Sequence, residues 1–180
     1  QGEGFNNSTQ YVFKVKYPSV LMVKDDMIKI EISLRQPLID TPVNTKIKHF
    51  YQDPFTGEDL FPPGKVLSLS WKEAVAEKLK AAISRKDVAI RDYYDLWYIA
   101  EFGFDFYDKN FIKIFKRKVD DEGYAGDYKE NFGLSADKIS FLRKQIGDLL
   151  KPVIRSGEEF NLDKALERFN EILGDKRFHA

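Results

Sequence analysis

Ser70-Trp71-Lys72-Glu73-Ala74-Val75-Ala76-Glu77-Lys78-Leu79-Lys80-Ala81-Ala82-Ile83-Ser84-Arg85 is where the periodicity of this chain changes. A serine followed three residues later by a glutamate has the form of a capping box, so a helix begins at Ser70 and runs to about Arg85. At about 100° per residue, Val75, Leu79, Ala82 and Ile83 form one stripe, the face this helix buries. Upstream of Ser70 the period is two. Tyr11 to Tyr17 alternates, with Tyr11, Phe13, Val15 and Tyr17 on one side, until Pro18 and Ser19 break it. After a short apolar run, Val20 to Val23, and the turn-like Lys24-Asp25-Asp26, the strand Met27 to Leu34 puts Ile28, Ile30, Ile32 and Leu34 on one face. Lys29, Glu31 and Ser33 take the other. Residues 36–66, rich in proline, read as one further short strand around Thr45–Tyr51 within a long irregular crossing. Downstream of Arg85 the pattern stays helical. Helices are expected at Ile90–Phe102, stopped by Gly103, and at Asp108–Val119, Ala136–Val153 and Leu162–Leu173. The fourth carries the stripe Ile139, Leu142, Ile146, Leu149 and Leu150. The fifth carries Leu162, Ala165, Leu166, Phe169, Ile172 and Leu173. The fold class is α+β, a β-rich part over 1–69 followed by a helical bundle over 70–180.

Composition narrows the function. The chain has 180 residues, 43% of them hydrophobic, enough for a real core. Its 29 Lys+Arg balance 29 Asp+Glu, which argues against a whole-chain electrostatic grip on nucleic acid. Without cysteine there is no thiol nucleophile, disulfide or thiolate metal site. His49 and His179 are too few for a histidine metal centre or a Ser-His-Asp triad. No run of residues approaches the apolar length of a membrane span, and the polar stretch Gln1 to Gln10 lacks the order of a signal peptide. A soluble, cytoplasmic protein is expected.

Three places hold residues that can carry chemistry. Lys78 and Arg85, seven apart, lie about 20° from one another on the first helix, along one edge of its buried stripe. Ala74 and Ala81 leave space on the same edge. A solvated edge with snorkelling cations gives this pattern, and so does a cradle for a polyphosphate. On the second helix Tyr93, Leu96, Ile99 and Ala100 make the apolar face, and Asp92 projects between Leu96 and Ile99. It is either a first-turn acid favoured by the helix dipole or a carboxylate facing a polar partner inside the fold. Asp95 is placed for a surface pair with Arg91 at i, i+4. Glu31 is presented off a rigid strand, as a metal ligand is, or is a solvent-side residue beside Lys29. Trp71, Trp97, Tyr93 and Tyr94 read as core aromatics rather than base-stacking platforms. Lys46-Ile-Lys-His49 reads as an exposed strand. Lys113, Lys116, Arg117 and Lys118 read as a solvated helix face or an RNA contact.

Glu77-Lys78-Leu79-x-Ala81 ending in Arg85, followed by Arg91-Asp92-x-Tyr94-Asp95-Leu96, resembles the two C-terminal signature motifs of the AbiEii/AbiGii-type nucleotidyltransferase toxins. Ile28-Lys29-Ile30-Glu31-Ile32, upstream, resembles the third-acid strand of that family. The resemblance implies a partial polymerase-β-like nucleotidyltransferase sheet followed by a C-terminal helical lobe. It implies an enzyme that uses a nucleoside triphosphate and Mg²⁺ or Mn²⁺ to attach a nucleotide to an RNA or protein hydroxyl. Some members act on the 3′ end of tRNA, and many are toxins of toxin–antitoxin or phage-exclusion pairs. Carried across, Lys78 binds the triphosphate with Arg85 beside it, Asp92 is the catalytic or acceptor-orienting acid, and Arg91 and Asp95 support them. Glu31 becomes a metal ligand. An antitoxin, or an N-terminal part that completes the chain, is the expected partner.

This sequence departs from the family at its start, where a Gly-Ser turn and an Asp-x-Asp strand are missing. Asp25-Asp26 and Asp120-Asp121 do not replace the latter, because adjacent residues point to opposite sides of a strand. The chain therefore reads as the C-terminal portion of such a transferase, inactive alone. The alternative is a non-catalytic interaction module that keeps the fold and binds an antitoxin or RNA.

Overall fold

The computed structural model describes residues 2–6, 10–19, 23–33, 37–47, 52–155 and 157–179. The chain is mixed helix and strand, as expected for α+β, and falls into two compact units, 1–38 and 39–180.

The first unit is an antiparallel sheet of β1 (Gly2–Asn6), β2 (Gln10–Pro18) and β3 (Asp25–Ser33), in that order. Its register follows the alternation in the sequence. Tyr11 pairs with Ile32, Phe13 with Ile30 and Val15 with Ile28, so aromatic and β-branched side chains meet across the strands on one face. Val12 and Lys14 pair with Glu31 and Lys29, which puts these four on the opposite face. β1 was not legible from its glycines; it pairs in register with β2, Gly4 against Phe13. Leu34, His49 and most of the Val20–Val23 run lie outside the described residues.

The second unit holds the two-stranded β4 (Val43–Lys46) and β5 (Lys65–Ser68) and the helices. These are α1 (Trp71–Ser84), α2 (Ile90–Glu101), α3 (Lys109–Asp121), α4 (Ala136–Gln145), α5 (Leu162–Gly174) and the short α6 (Lys176–His179). α1 packs against α2 and α3, and α2 against α5. Val75, Leu79, Ala82 and Ile83 are buried on α1, and all six residues of the α5 stripe are buried. The core between them is unusually aromatic. Phe106 meets Phe111 and Phe169 edge-on at 5.6 and 5.2 Å, and Tyr93 meets Phe132 at 5.3 Å.

Helix ends explain how α1 and α2 are fixed. Ser70 Oγ accepts from the Glu73 amide at 3.1 Å, one half of the capping box. The other half is not made, because the Glu73 carboxylate turns to the amides of Ile39 (3.0 Å) and Asp40 (2.9 Å). At the far end of α1 the orphan carbonyls of Ala82, Ile83 and Arg85 accept from Asn131 Nδ2 at 2.8–3.1 Å. The N-cap of α2 is Ala89, whose side chain cannot accept a hydrogen bond. Gln145 of α4 supplies the acceptor for the Ile90 amide, at 2.9 Å. Gly103, at φ +79°, ends α2 in the left-handed conformation that glycine adopts without strain.

One helix departs from a uniform period. The fourth does not run straight to Val153: after Gln145 it continues as a single π-helical turn, Ile146–Leu150. The wider turn shifts the phase. Leu142 and Leu150 are buried, whereas Leu149, placed on the same stripe by the sequence reading, is exposed.

Candidate functional site

The sequence-marked residues of α1 and α2 meet where the two helices pack side by side. Lys78 Nζ forms an ion pair and hydrogen bond with Asp95 Oδ2. The surface pair expected between Arg91 and Asp95 is therefore replaced by one that crosses from helix to helix. Arg91 instead approaches Asp92, Nε to Oδ1 at 4.0 Å. Arg85 Nε lies 3.1 Å from Asp92 Oδ2.

Asp92 is the unusual member. It is 3% exposed, at the third residue of α2, so it is at once a first-turn acid and a carboxylate turned into the fold. Arg85 is near enough to attract it, but no N–H is aligned on Oδ2. Among the described residues this is the buried side-chain oxygen left without a hydrogen bond. Burial pushes its pKa above the ordinary aspartate value, against the pull of Arg85, Arg91 and Lys78. A carboxylate so placed is short of a donor.

Lys78 and Arg85 share an edge of α1 but stand over different hollows. Lys78 and Asp95 line one of about 320 Å³ with Trp71, Ala74, Val75, Tyr98 and Ile99. Arg85 lines another of about 370 Å³, which Lys86, Lys138 and Tyr124 also enter. Asp92 lines neither hollow; it is buried, paired with Arg85 and within the electrostatic reach of Lys78. A third hollow, about 860 Å³, lies on the other side of Trp71 and is bordered by Lys72, Asp108, Lys113 and Arg117.

Several residues differ from the sequence reading. Trp71 is not a core aromatic: it is 60% exposed, whereas Tyr93 is fully buried. Lys118 is not part of a solvated face. It is 2% exposed, and its Nζ sits 2.7 Å from both Glu73 Oε1 and Glu77 Oε1. Lys80, also buried, bonds Glu77 Oε2 at 2.8 Å. Burial pushes Glu73 up, yet the Lys118 ammonium and the two amides more than offset it and hold the carboxyl below the glutamate range. A helical wheel puts Glu73 and Lys80 beside the apolar stripe of α1 and Glu77 away from it, but nothing local says that α3 returns a lysine to the two glutamates.

Glu31 belongs to the first unit. It is exposed, paired with Lys29 Nζ at 2.8 Å and accepting from Gln10 Nε2 at 3.0 Å. The lysine hydrogen bond holds its carboxyl below the ordinary value. A divalent cation needs several oxygen ligands, and among the described residues no three of His, Cys, Asp and Glu gather to supply them. These residues do not fit a metal centre by themselves. No helix among the described residues is long and apolar enough to cross a membrane.

No curated protein and no solved structure matches this sequence. One family model does, over residues 2–175: the nucleotidyl transferase AbiEii toxin of type IV toxin–antitoxin systems. The match takes in the Glu31 strand and both helices of the charged cluster. With nearly the whole length covered, the chain belongs to the AbiEii family of nucleotidyl transferase toxins.

Proposed function

We propose that the α1–α2 cluster is the phosphate-binding and acceptor-orienting part of a nucleotidyltransferase that moves a nucleotide from a nucleoside triphosphate to an RNA or protein hydroxyl. The observation that carries this is Asp92, a buried carboxylate that pairs with Arg85 yet has an oxygen taking no hydrogen bond, beside the Lys78–Asp95 pair of the same two helices. Acids in a core normally have their hydrogen bonds made, and a buried carboxylate that lacks one beside paired cations is a candidate functional group.

Each residue has a role its position supports. Lys78 and Arg85 neutralise the triphosphate, whose leaving pyrophosphate needs positive charge nearby. Asp95 holds the Lys78 side chain in the groove until a phosphate competes for it. Arg85, drawn to phosphate, moves away from Asp92 and opens Oδ2 to the acceptor hydroxyl. Asp92 then accepts that hydroxyl's hydrogen bond, and a carboxyl with a raised pKa suits the accompanying proton. Arg91 flanks it. Divalent metals serve nucleotidyltransferases generally, and Glu31 is the acid that the family resemblance offers to one. An antitoxin is the protein partner this reading implies.

Titration calorimetry with magnesium nucleoside triphosphates tests the reading. Saturable binding that weakens at least tenfold in Lys78→Ala, with the fold intact by circular dichroism, is the expected result. A chain that binds no triphosphate, wild type and variant alike, is an interaction module instead.

A further inference from the structure

Trp71 has the largest aromatic side chain in its neighbourhood, and the fold leaves it exposed at the first turn of α1. It is not alone there. Trp71, Ala74, Val75 and Lys78 recur at i, i+3, i+4 and i+7, one face of α1, and Asp95, Tyr98 and Ile99 repeat the spacing on α2. These two faces enclose the hollow of about 320 Å³. Two aromatic rings border it, one from each helix, and the small side chain of Ala74 leaves depth between them. Both rings are backed by others: Tyr98 lies 4.5 Å from Phe102, tilted 38°, and Trp71 meets Phe104 edge-on at 6.3 Å.

Chemistry then selects the occupant. The charged groups lining the hollow are Lys78 and Asp95, bonded to each other at the polar end. An aliphatic ligand would not need two aromatic walls, and a bare polyphosphate would gain nothing from Trp71 and Ile99. A flat heteroaromatic ring joined to a phosphate chain uses both ends. We propose that this hollow is the base subsite of the nucleoside triphosphate, with the base against Trp71 and Tyr98 over Ala74 and the phosphates leading off toward Lys78. It rests on the reading of Lys78 as a phosphate ligand. Recognition is by the π-face rather than by a hydrogen-bond code, so every base is accepted and purines bind more tightly than pyrimidines.

The test separates base from phosphate. In a Trp97→Phe chain Trp71 is the sole tryptophan, and its emission reports the hollow directly. Adenosine, which has no phosphate, is expected to quench it saturably, and more strongly than uridine. Trp71→Ala is expected to weaken adenosine triphosphate about tenfold by calorimetry while leaving tripolyphosphate unchanged, and Trp71→Phe to recover most of the loss. Ala74→Leu fills the floor without touching a charge and is expected to abolish adenosine quenching. Emission unmoved by adenosine, or an adenosine triphosphate affinity unchanged in both Trp71→Ala and Ala74→Leu, overturns the base subsite. Adenosine quenching that survives Lys78→Ala, in a chain that ignores tripolyphosphate, leaves the subsite standing and removes the phosphate reading instead.

Discussion

Asp92 is a carboxylate held where ionisation is penalised, and this gives it a measurable signature. Its folded pKa is raised above 3.8, chiefly by burial. The folded chain therefore holds that proton more tightly than the unfolded chain does. The stabilising effect is complete below the unfolded value and disappears as pH rises through the folded one, so at neutral pH the ionised group is a net cost. Asp92→Asn keeps the shape and removes the charge. It is expected to raise the melting temperature at pH 7 by a few degrees, on the order of 1 kcal/mol, and to lose that advantage below pH 4. The same variant is expected to reduce nucleotidyl transfer at least a hundredfold. A melting temperature that falls at pH 7 would mark Asp92 as an ordinary structural acid. The sequence already singled out Asp92, because a carboxylate among Tyr93, Leu96 and Ile99 breaks an apolar face. It could not show which cation answers it. Arg85 is near Asp92 only because the segment between the helices returns α2 alongside α1, and Asn131 fixes the end of α1 from about fifty residues further on.

Between α1 and α3 the opposite situation holds, with buried charges fully answered. Glu73 is completely buried, and Lys118 and Glu77 complete a network in which Lys80 also takes part. Removing one partner strands the other in a medium that cannot solvate it. Lys118→Met is accordingly expected to cost about 3–5 kcal/mol and to lower the melting temperature by on the order of 10 °C. Lys113→Met, exposed on the same helix, is expected to change it by less than about 1 °C. Glu73 and Glu77 both have folded pKa values held below 4.5, despite burial, by the lysines they bond. Their contribution is complete above the unfolded value and disappears as pH falls through the folded ones. Acid unfolding that is shallower in Glu73→Gln than in the wild type would confirm the sign. An identical profile would remove the network from the account. Helix existence was legible here because caps and stripes are local: Ser70, Asp108 and Ser135 each accept from the amide three residues on. Pairing was not, since 45 positions separate Glu73 from Lys118. The π-turn at Ile146–Leu150 was also hidden, because Gly147 weakens a helix there without saying that its pitch will widen.

The division at residues 38 and 39 carries a consequence for how the chain folds. Every member of the main hydrophobic cluster lies in 39–180, including Phe111, Phe115, Phe169 and Phe178, and so do the charge network and the Lys78–Asp92 cluster. The link that orders the start of this unit is internal to it: the amides of Ile39 and Asp40 bond Glu73. In the first unit, the aromatic and isoleucine side chains of β2 and β3, from Tyr11 to Ile32, remain 38–52% exposed. A three-stranded sheet with its apolar face so incompletely covered has little to set against its conformational entropy. A chain of residues 39–180 is therefore expected to fold by itself. It should show helical circular dichroism, a single cooperative transition and a melting temperature within about 5 °C of the parent, with any triphosphate binding through Lys78 retained. Residues 1–38 alone are expected to show no cooperative transition. A non-cooperative or strongly destabilised 39–180 would mean that the sheet contributes to the helical core, and the charged cluster would then have to be understood as a property of both units together.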